Sequence, residues 1–452
     1  MEEILKEIEE KHYSKVKKML ADMLIPDVAE LLENIDNKQD LIITFRLLPK
    51  SLGAEVFSYI TPDLQETLVT LLTDKEISYI IEDLYIDDAV DFIDEMPANV
   101  VEKVLKITTD ETRQQINKLL MYDDYTAGSI MTTEFVDFKS GMTVEKALAR
   151  IRRIAKNVET INLLYVTNKE RVLVGVLSIR ELLLADPEEI VDDLMETNVV
   201  YVETFTDQEE IALKFKKYDF LSLPVVDKEN RLVGIVTIDD VIDIITEEAT
   251  EDIAKMNAVA PEDKPYLKTN VFKLWLNRVP WLMLLMLSAT FTSLIITKNE
   301  ALLSKSAYGI LLTACIPMIM GTAGNAGGQA SATIIRGIAL NEISIKDFFK
   351  VIWKEICVAV LLGLSLAVVC YFKLLYLDGM FREPKGYLVA AIVCLSMFIT
   401  IFVAKFVGAS LPLIAKQCKL DPAVMASPFI TTILDAVSLL ILCGLTTALL
   451  PV

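Results

Sequence analysis

The chain has 452 residues, more than one ordinary domain holds, and a formal net charge of −20 that is unevenly spread. From Tyr266 onward 15 basic residues meet 8 acidic ones (+7), which leaves 29 against 56 (−27) before it. So acidic a first part excludes nucleic acid as a partner, repels anionic lipid surfaces and attracts cations.

The segment Met1 to Lys18 is charged and has no apolar core, so the acidic part is expected to stay cytosolic. Residues 1–122 read as a helical N-terminal domain. Ile25-Pro26-Asp27, Leu48-Pro49, Thr61-Pro62-Asp63 and Pro97 each open a short apolar-periodic run, and recurring helix starts without strand patterns predict a small helical superhelix. An acidic patch at Asp87, Asp88, Asp91, Asp94 and Glu95 spans little more than two turns.

An internal repeat follows, with copies at 123–185 and 186–245. Ser129-Ile130-Met131-Thr132 is answered by Asp193-Leu194-Met195-Glu196. Leu173-Val174-Gly175-Val176-Leu177-Ser178 is answered by Leu232-Val233-Gly234-Ile235-Val236-Thr237. Each copy alternates short β-branched runs with helices. The pair resembles tandem CBS domains, a family whose cleft often binds adenine nucleotides. The resemblance implies ATP contacts on a Gly-x-x-Thr/Ser-x-x-Asp pattern. The second copy keeps it as Gly234, Thr237 and Asp240; the first has Gly175 and Ser178 but Glu181 in place of Asp.

Residues 246–265 read as an acidic connecting helix and linker. Glu248, Glu251 and Asp252 share a face at i, i+3, i+4, and like charges so close call for a neutralising partner. Pro261 and Pro265 then break the chain before a membrane domain at 266–452. Five apolar runs, at roughly 279–297, 307–335, 356–377, 387–415 and 423–450, are each long enough to span a bilayer. An odd number of spans sends a cytosolic N-terminus to an outside C-terminus. The basic residues concentrate on the predicted inner loops, as that orientation requires.

All six Cys, from Cys315 to Cys443, lie in this domain without a CxxC pair, and the one His, His12, lies in the N-terminal tail. Thiolate and imidazole sites for soft metals are thereby excluded, and the carboxylates, amides and hydroxyls that remain suit a hard cation such as Mg2+. In the last span, Asp435 carries a carboxylate at a depth where an unpaired charge costs about 3 kcal/mol. Thr432, Thr431, Pro428 and Ser427 precede it at helical spacing on one face, and Pro428 is expected to free the carbonyl of Val424. The second span adds Pro317, a small-residue surface at Gly324 and Gly328, and amides at Asn325 and Gln329. These features predict a polar column for a cation.

Three strings in order are Glu248-Ala249-Thr250-Glu251-Asp252-Ile253, Pro317…Gly324-Asn325-Ala326-Gly327-Gly328-Gln329 and Asp421-Pro422-Ala423…Pro428…Thr431-Thr432…Asp435. With them the whole chain resembles the MgtE family of magnesium channels. The fold expected is a multi-domain membrane protein: an all-α N-terminal superhelical domain, a tandem α/β CBS pair, a connecting acidic helix and a five-helix α transmembrane domain. The resemblance implies a homodimer in the plasma (inner) membrane, with one pore on the two-fold axis lined by spans two and five and a largely hydrated Mg2+ at Asp435. Ser427 stands where some relatives carry Asn. It further implies closure by cytosolic Mg2+ held at Asp87, Asp91, Glu209, Asp219, Asp240, Asp243, Glu248, Glu251, Asp252 and Asp421. No Gly-x-x-x-x-Gly-Lys-Ser/Thr loop or Asp-Lys-Thr-Gly string is present, so passive flow is expected and no enzymatic activity. The alternatives are Na+- or H+-coupled divalent cation transport, and a CBS nucleotide sensor merely anchored in the membrane.

Overall fold

The computed structural model describes residues 2–262, 266–267, 269–303, 308–383, 385–425 and 427–450, apart from the side chains at 50, 51 and 427. Pro265 lies outside the described residues. The chain parts into two compact units, Met1–Ile245 and Thr246–Val452.

The first unit opens with ten helices between Glu2 and Leu119, none longer than 10 residues. They are short because the sequence keeps restarting them. Pro26 and Pro62 sit in first turns, where a missing N–H costs nothing. Thr61, expected to cap its own helix, instead donates its hydroxyl (2.6 Å) and its N–H (2.8 Å) to Glu33 of a neighbouring helix. Thr73 and Glu76 form a capping box, and Glu76 also takes Arg46 in a two-toothed ion pair at 2.8 and 2.9 Å. Phe57 meets Phe92 edge to face, 5.1 Å between ring centres. Through that contact the core fixes the helix Ile86–Asp94, which carries the acidic patch.

The repeat appears as two sheets of one design. In the first, β1 (Asp137–Lys139) pairs parallel with β2 (Leu163–Thr167), which pairs antiparallel with β3 (Leu173–Ser178). In the second, β4 (Val202–Glu203), β5 (Ser222–Val226) and β6 (Leu232–Thr237) do the same. Even the register slip recurs, between Val166 and Thr167 in one copy and between Val225 and Val226 in the other. The copies exchange their entry segments. Met131 of the first packs on Gly234 of the second, and Met195 of the second packs on Gly175 of the first. A Cβ at Gly234 would lie 2.6 Å from the Met131 sulfur, and one at Gly175 2.3 Å from that of Met195, so only glycine admits the exchange. Tyr165 and Ser222 join the two sheets by a buried hydroxyl contact of 2.9 Å. β6 then runs into the helix Ile238–Met256.

The second unit holds five apolar helical spans: Val271–Lys298, Gly309–Ala339, Ile345–Leu377, Gly386–Gln417 and Pro422–Leu449. The first is divided at Ala289 and buries none of its residues within the chain, as suits a helix bathed in lipid as apolar as its own side chains. The second runs unbroken through Pro317. The fifth departs from expectation. Its helix starts only at Ser427, after a 3-10 turn at Pro422–Met425. Pro428 is therefore a helix starter, and Val424 lies in the preceding turn; no carbonyl of this helix is freed by the proline.

Spans two, four and five lock through glycines. A Cβ at Gly327 would meet Leu434 at 2.4 Å and one at Gly324 would meet Thr431 at 2.8 Å. One at Gly408 would stand 2.3 Å from the carbonyl oxygen of Gly327. On span two, Gly324 and Gly327, three residues apart, both make these close contacts. Between spans three and four, buried Lys405 faces Glu355 at 3.4 Å.

Candidate pore and acidic regulatory sites

In the membrane unit, the bare face of span two and the start of span five leave a cleft of about 400 Å³ lined by Pro317, Met320, Gly321, Gly324, Asn325, Thr431 and Asp435. Its breadth follows from the glycines, because side chains at 321 and 324 would fill it. Asp435 is half-buried, and among the described residues no Lys or Arg pairs with it; Lys405, buried between spans three and four, is occupied by Glu355. The hydroxyls of Thr431 and Thr432 both donate to the Pro428 carbonyl, at 2.9 and 3.0 Å. With their one proton so placed, each hydroxyl offers only lone pairs to anything else. A half-buried carboxylate, an amide and a hydroxyl that can only accept form a wall for a cation. Thr432 and Pro428 support this wall without lining the cleft, and Gln329 is exposed one turn beyond Asn325. The side chain of Ser427 lies outside the described residues.

In the cytosolic unit, four segments of the sequence bring seven carboxylates together. Asp87, Asp88 and Asp91 come from the helix Ile86–Asp94, Glu134 and Glu159 from loops flanking β1 and β2, and Asp239 and Asp240 from the first turn of Ile238–Met256. No ion pair reaches any of the seven among the described residues. Asp87 is only 8% exposed, and burial, then Asp240, pushes its carboxyl well above the ordinary range. Burial and the neighbouring carboxylates push Asp88 and Asp240 up to about 6, even though Asp240 accepts the Thr237 hydroxyl at 2.6 Å. Asp91 is exposed to solvent, yet the protein packed around its carboxyl, and then Asp240, push it up to about 7. Glu159 reaches about 8 for the same reasons, and its Oε2 is buried with no hydrogen-bond partner among the described residues. Glu134 spends one oxygen on the N–H of Ile86 at 3.1 Å, anchoring the acidic helix.

An orphaned carboxylate oxygen among mutually repelling neighbours is the arrangement a divalent cation satisfies, so these residues fit regulatory Mg2+. The ligand atoms are not drawn into one tight sphere. Among the described residues only Glu7, Glu10 and His12 lie within 4.8 Å of one another, and that exposed trio already holds Lys15 against Glu7.

Of the other sequence-derived residues, exposed Asp243 adds to the field on Asp240. Glu209 opens and Asp219 closes the helix Gln208–Tyr218; both are exposed, and neither is among the main charges acting on the cluster. Asp219 adopts a left-handed conformation, φ 54°, a helix-ending geometry. Gly234 is covered by Met131. In the second unit, Asp252 is held above the usual carboxylate range by burial and by Asp421, with Glu248 and Glu251 adding to it. Sequence reasoning passed over Glu134, Glu159 and Asp239, single acids in a chain full of them. Only the fold marks them out.

Family models match along the chain in the same order: the MgtE intracellular N domain at 23–125, CBS domains at 127–188 and 191–247, and the MgtE divalent cation transporter at 316–445. The magnesium transporter MgtE of Thermus thermophilus is 37% identical over 430 residues, 94% of this chain and 93% of the relative. The chain belongs to the MgtE family. The Bacillus subtilis magnesium transporter MgtE is 31% identical over 442 residues, 95% of each chain. Among solved structures, the cytosolic domain of the Mg2+ channel MgtE in complex with ATP matches 53% of this chain and 98% of its own, at 37% identity and TM-score 0.51. The soluble part of a magnesium transporter matches 54% of this chain and 96% of its own, at 30% identity and TM-score 0.51. These MgtE relatives are transporters rather than enzymes, and the five spans make this chain a membrane protein with them.

Proposed function

We propose that the protein is a Mg2+-selective channel for passive uptake, working as a homodimer in the inner membrane with its N-terminus cytosolic and its C-terminus outside. The observation that carries the reading is Asp435, which has no basic partner among the described residues, on a cleft whose other side-chain polar groups are the Asn325 amide and the Thr431 hydroxyl, beside Pro317, Met320 and two glycines. Mg2+ dehydrates reluctantly. Six waters at about 30 Å³ each fill about 180 Å³, so a cleft of about 400 Å³ leaves room for a hydrated ion. One carboxylate from each of two copies would balance its charge. The membrane potential, about 2.3 kcal/mol per charge per 100 mV, supplies the driving force.

Closure by cytosolic Mg2+ follows from the acidic residues. Bound among Asp87, Asp91, Asp240 and their neighbours, the ion supplies the positive charge that lets those carboxylates stay ionised while packed. Without it they repel one another, and the helix Ile238–Met256, which carries Asp240 at one end and Glu248, Glu251 and Asp252 further on, transmits that repulsion. ATP at the CBS pair is supported by the relative that holds it. At Gly234, Thr237 and Asp240 it would displace Met131 and the Thr237–Asp240 hydrogen bond. Ion-coupled exchange needs a second ionisable group free to load, whereas Glu355 and Lys405 neutralise each other.

The test is Mg2+ flux into liposomes with cytosolic-side Mg2+ titrated from micromolar to tens of millimolar, alongside Asp435→Ala. Flux should fall as that Mg2+ rises and disappear in the variant. Flux that survives in Asp435→Ala, or that needs an imposed Na+ or H+ gradient, overturns the reading.

A further inference from the structure

Lys255 stands where no carboxylate-based scheme of gating would put a cation. Its Nζ lies 2.6 Å from Glu251, one turn back on the same helix, and 2.8 Å from Oδ2 of Asp421, which precedes the fifth span. The other oxygen of Asp421 accepts the N–H of Ala423 at 2.8 Å, so that carboxylate is held in place from both sides. Burial works against the charge of Lys255, and the hydrogen bonds to Asp421 and Glu251 more than offset it, so the ammonium is held firmly protonated. One side chain thus bridges the acidic helix to the root of the fifth span, through two acids assigned above to regulatory Mg2+.

We propose that Lys255 is a built-in rival of the gating ion: it tethers the acidic helix to Asp421 at low Mg2+, and Mg2+ must displace it to bridge the same carboxylates. The proposal rests on the gating reading. Its physics is one of charge number. Against Glu251, Asp252 and Asp421 a single ammonium leaves two negative charges per chain, so the tether holds the helix near without neutralising it. A divalent ion gains more there, but only after two charge-assisted hydrogen bonds are given up. Lys255 therefore sets the Mg2+ concentration at which closure occurs, and keeps the helix ordered below it.

The test is amide hydrogen exchange over Thr246–Met256 in the purified full-length protein, from Mg2+-free buffer through a Mg2+ titration, for wild type, Lys255→Met and Lys255→Arg. Without Mg2+, K255M should exchange on the order of tenfold faster, and its Mg2+ midpoint for protection should fall on the order of tenfold, the factor that about 1.4 kcal/mol represents. K255R, which keeps the cation, should stay near wild type on both counts. Liposome flux should close at correspondingly lower Mg2+ in K255M. If K255M is poorly folded, Lys255→Gln replaces it. An unchanged or raised midpoint in the variant, with a normal wild-type response, overturns the role of Lys255 alone. A wild type whose exchange and flux ignore Mg2+ overturns the gating reading beneath it.

Discussion

Removing Mg2+ should destabilise the cytosolic unit, and the penalty should grow with pH. In the metal-free fold Asp240 is held at about 6 against an ordinary 3.8, and Glu159 at about 8 against 4.5. Each pH unit of displacement is about 1.4 kcal/mol, so ionising Asp240 in place costs about 3 kcal/mol and Glu159 about 5. Both keep some solvent contact, and screening leaves about half, on the order of 4 kcal/mol for the two. The sign follows from proton counts. The folded state keeps these protons to higher pH than the unfolded chain does, so stability falls as pH rises from about 4 to about 8. At about 2–4 °C per kcal/mol for a unit of this size, Mg2+ should raise the melting temperature of the cytosolic transition by roughly 8–16 °C at pH 8.5 and by little at pH 5. Calorimetry of the full-length protein in detergent, with EDTA or Mg2+, is the assay. Trp275, Trp281 and Trp353 all lie in the membrane unit, so tryptophan fluorescence would miss this transition. A Mg2+ effect equal at pH 5 and pH 8.5, or a metal-free protein that gains stability as pH rises across this range, would refute the reasoning.

The glycine lock and the Arg46–Glu76 pair give two further expectations. Gly408→Ala drives a Cβ to 2.3 Å from the Gly327 carbonyl oxygen, backbone against backbone, and should cost about 1–3 kcal/mol. Gly444→Ala meets nothing within 4 Å and should be neutral; tryptophan fluorescence during thermal unfolding separates the two. The hydrogen bonds from Arg46, then those from Thr73, pull Glu76 down to about 2. That stability is present above about 4.5 and lost as pH falls towards 2. Because both side chains are partly exposed, Arg46→Ala should cost about 1 kcal/mol at pH 7 and almost nothing near pH 2, read from the calorimetric cytosolic transition.

How much of this was legible in the sequence depended on how local each feature is. Helix starts at Pro26 and Pro62, the duplicated Leu-Val-Gly strands and the five apolar spans are written in spacings of two to four residues, and they fold as they read. The face holding Thr431 and Asp435 is likewise a matter of helical period. The period alone could not say where the helix begins, so Pro428 was misjudged as interior when the chain turns at Pro422–Met425 and starts afresh at Ser427. Nor could it single out Gly327, because its contact depends on where span four crosses.

The acidic cluster was hidden for a different reason. A net charge of −27 before Tyr266 attracts cations everywhere and therefore marks no residue in particular. Most of those carboxylates stay hydrated, and a hydrated carboxylate gains little from a bound ion that water does not already give. Burial turns such a charge into a site. Asp87 is nearly closed off from solvent, and the fold brings it together with Glu159 and Asp240; among the described residues nothing satisfies one oxygen of Glu159 and no basic residue pairs with the three. Glu209 and Asp219, equally acidic and drawn from equally acidic stretches, are left exposed and are not among the main charges acting on the group. The residues best suited to an ion are those the fold gathers away from counter-charge, some of them also out of solvent, and neither change is recorded in composition.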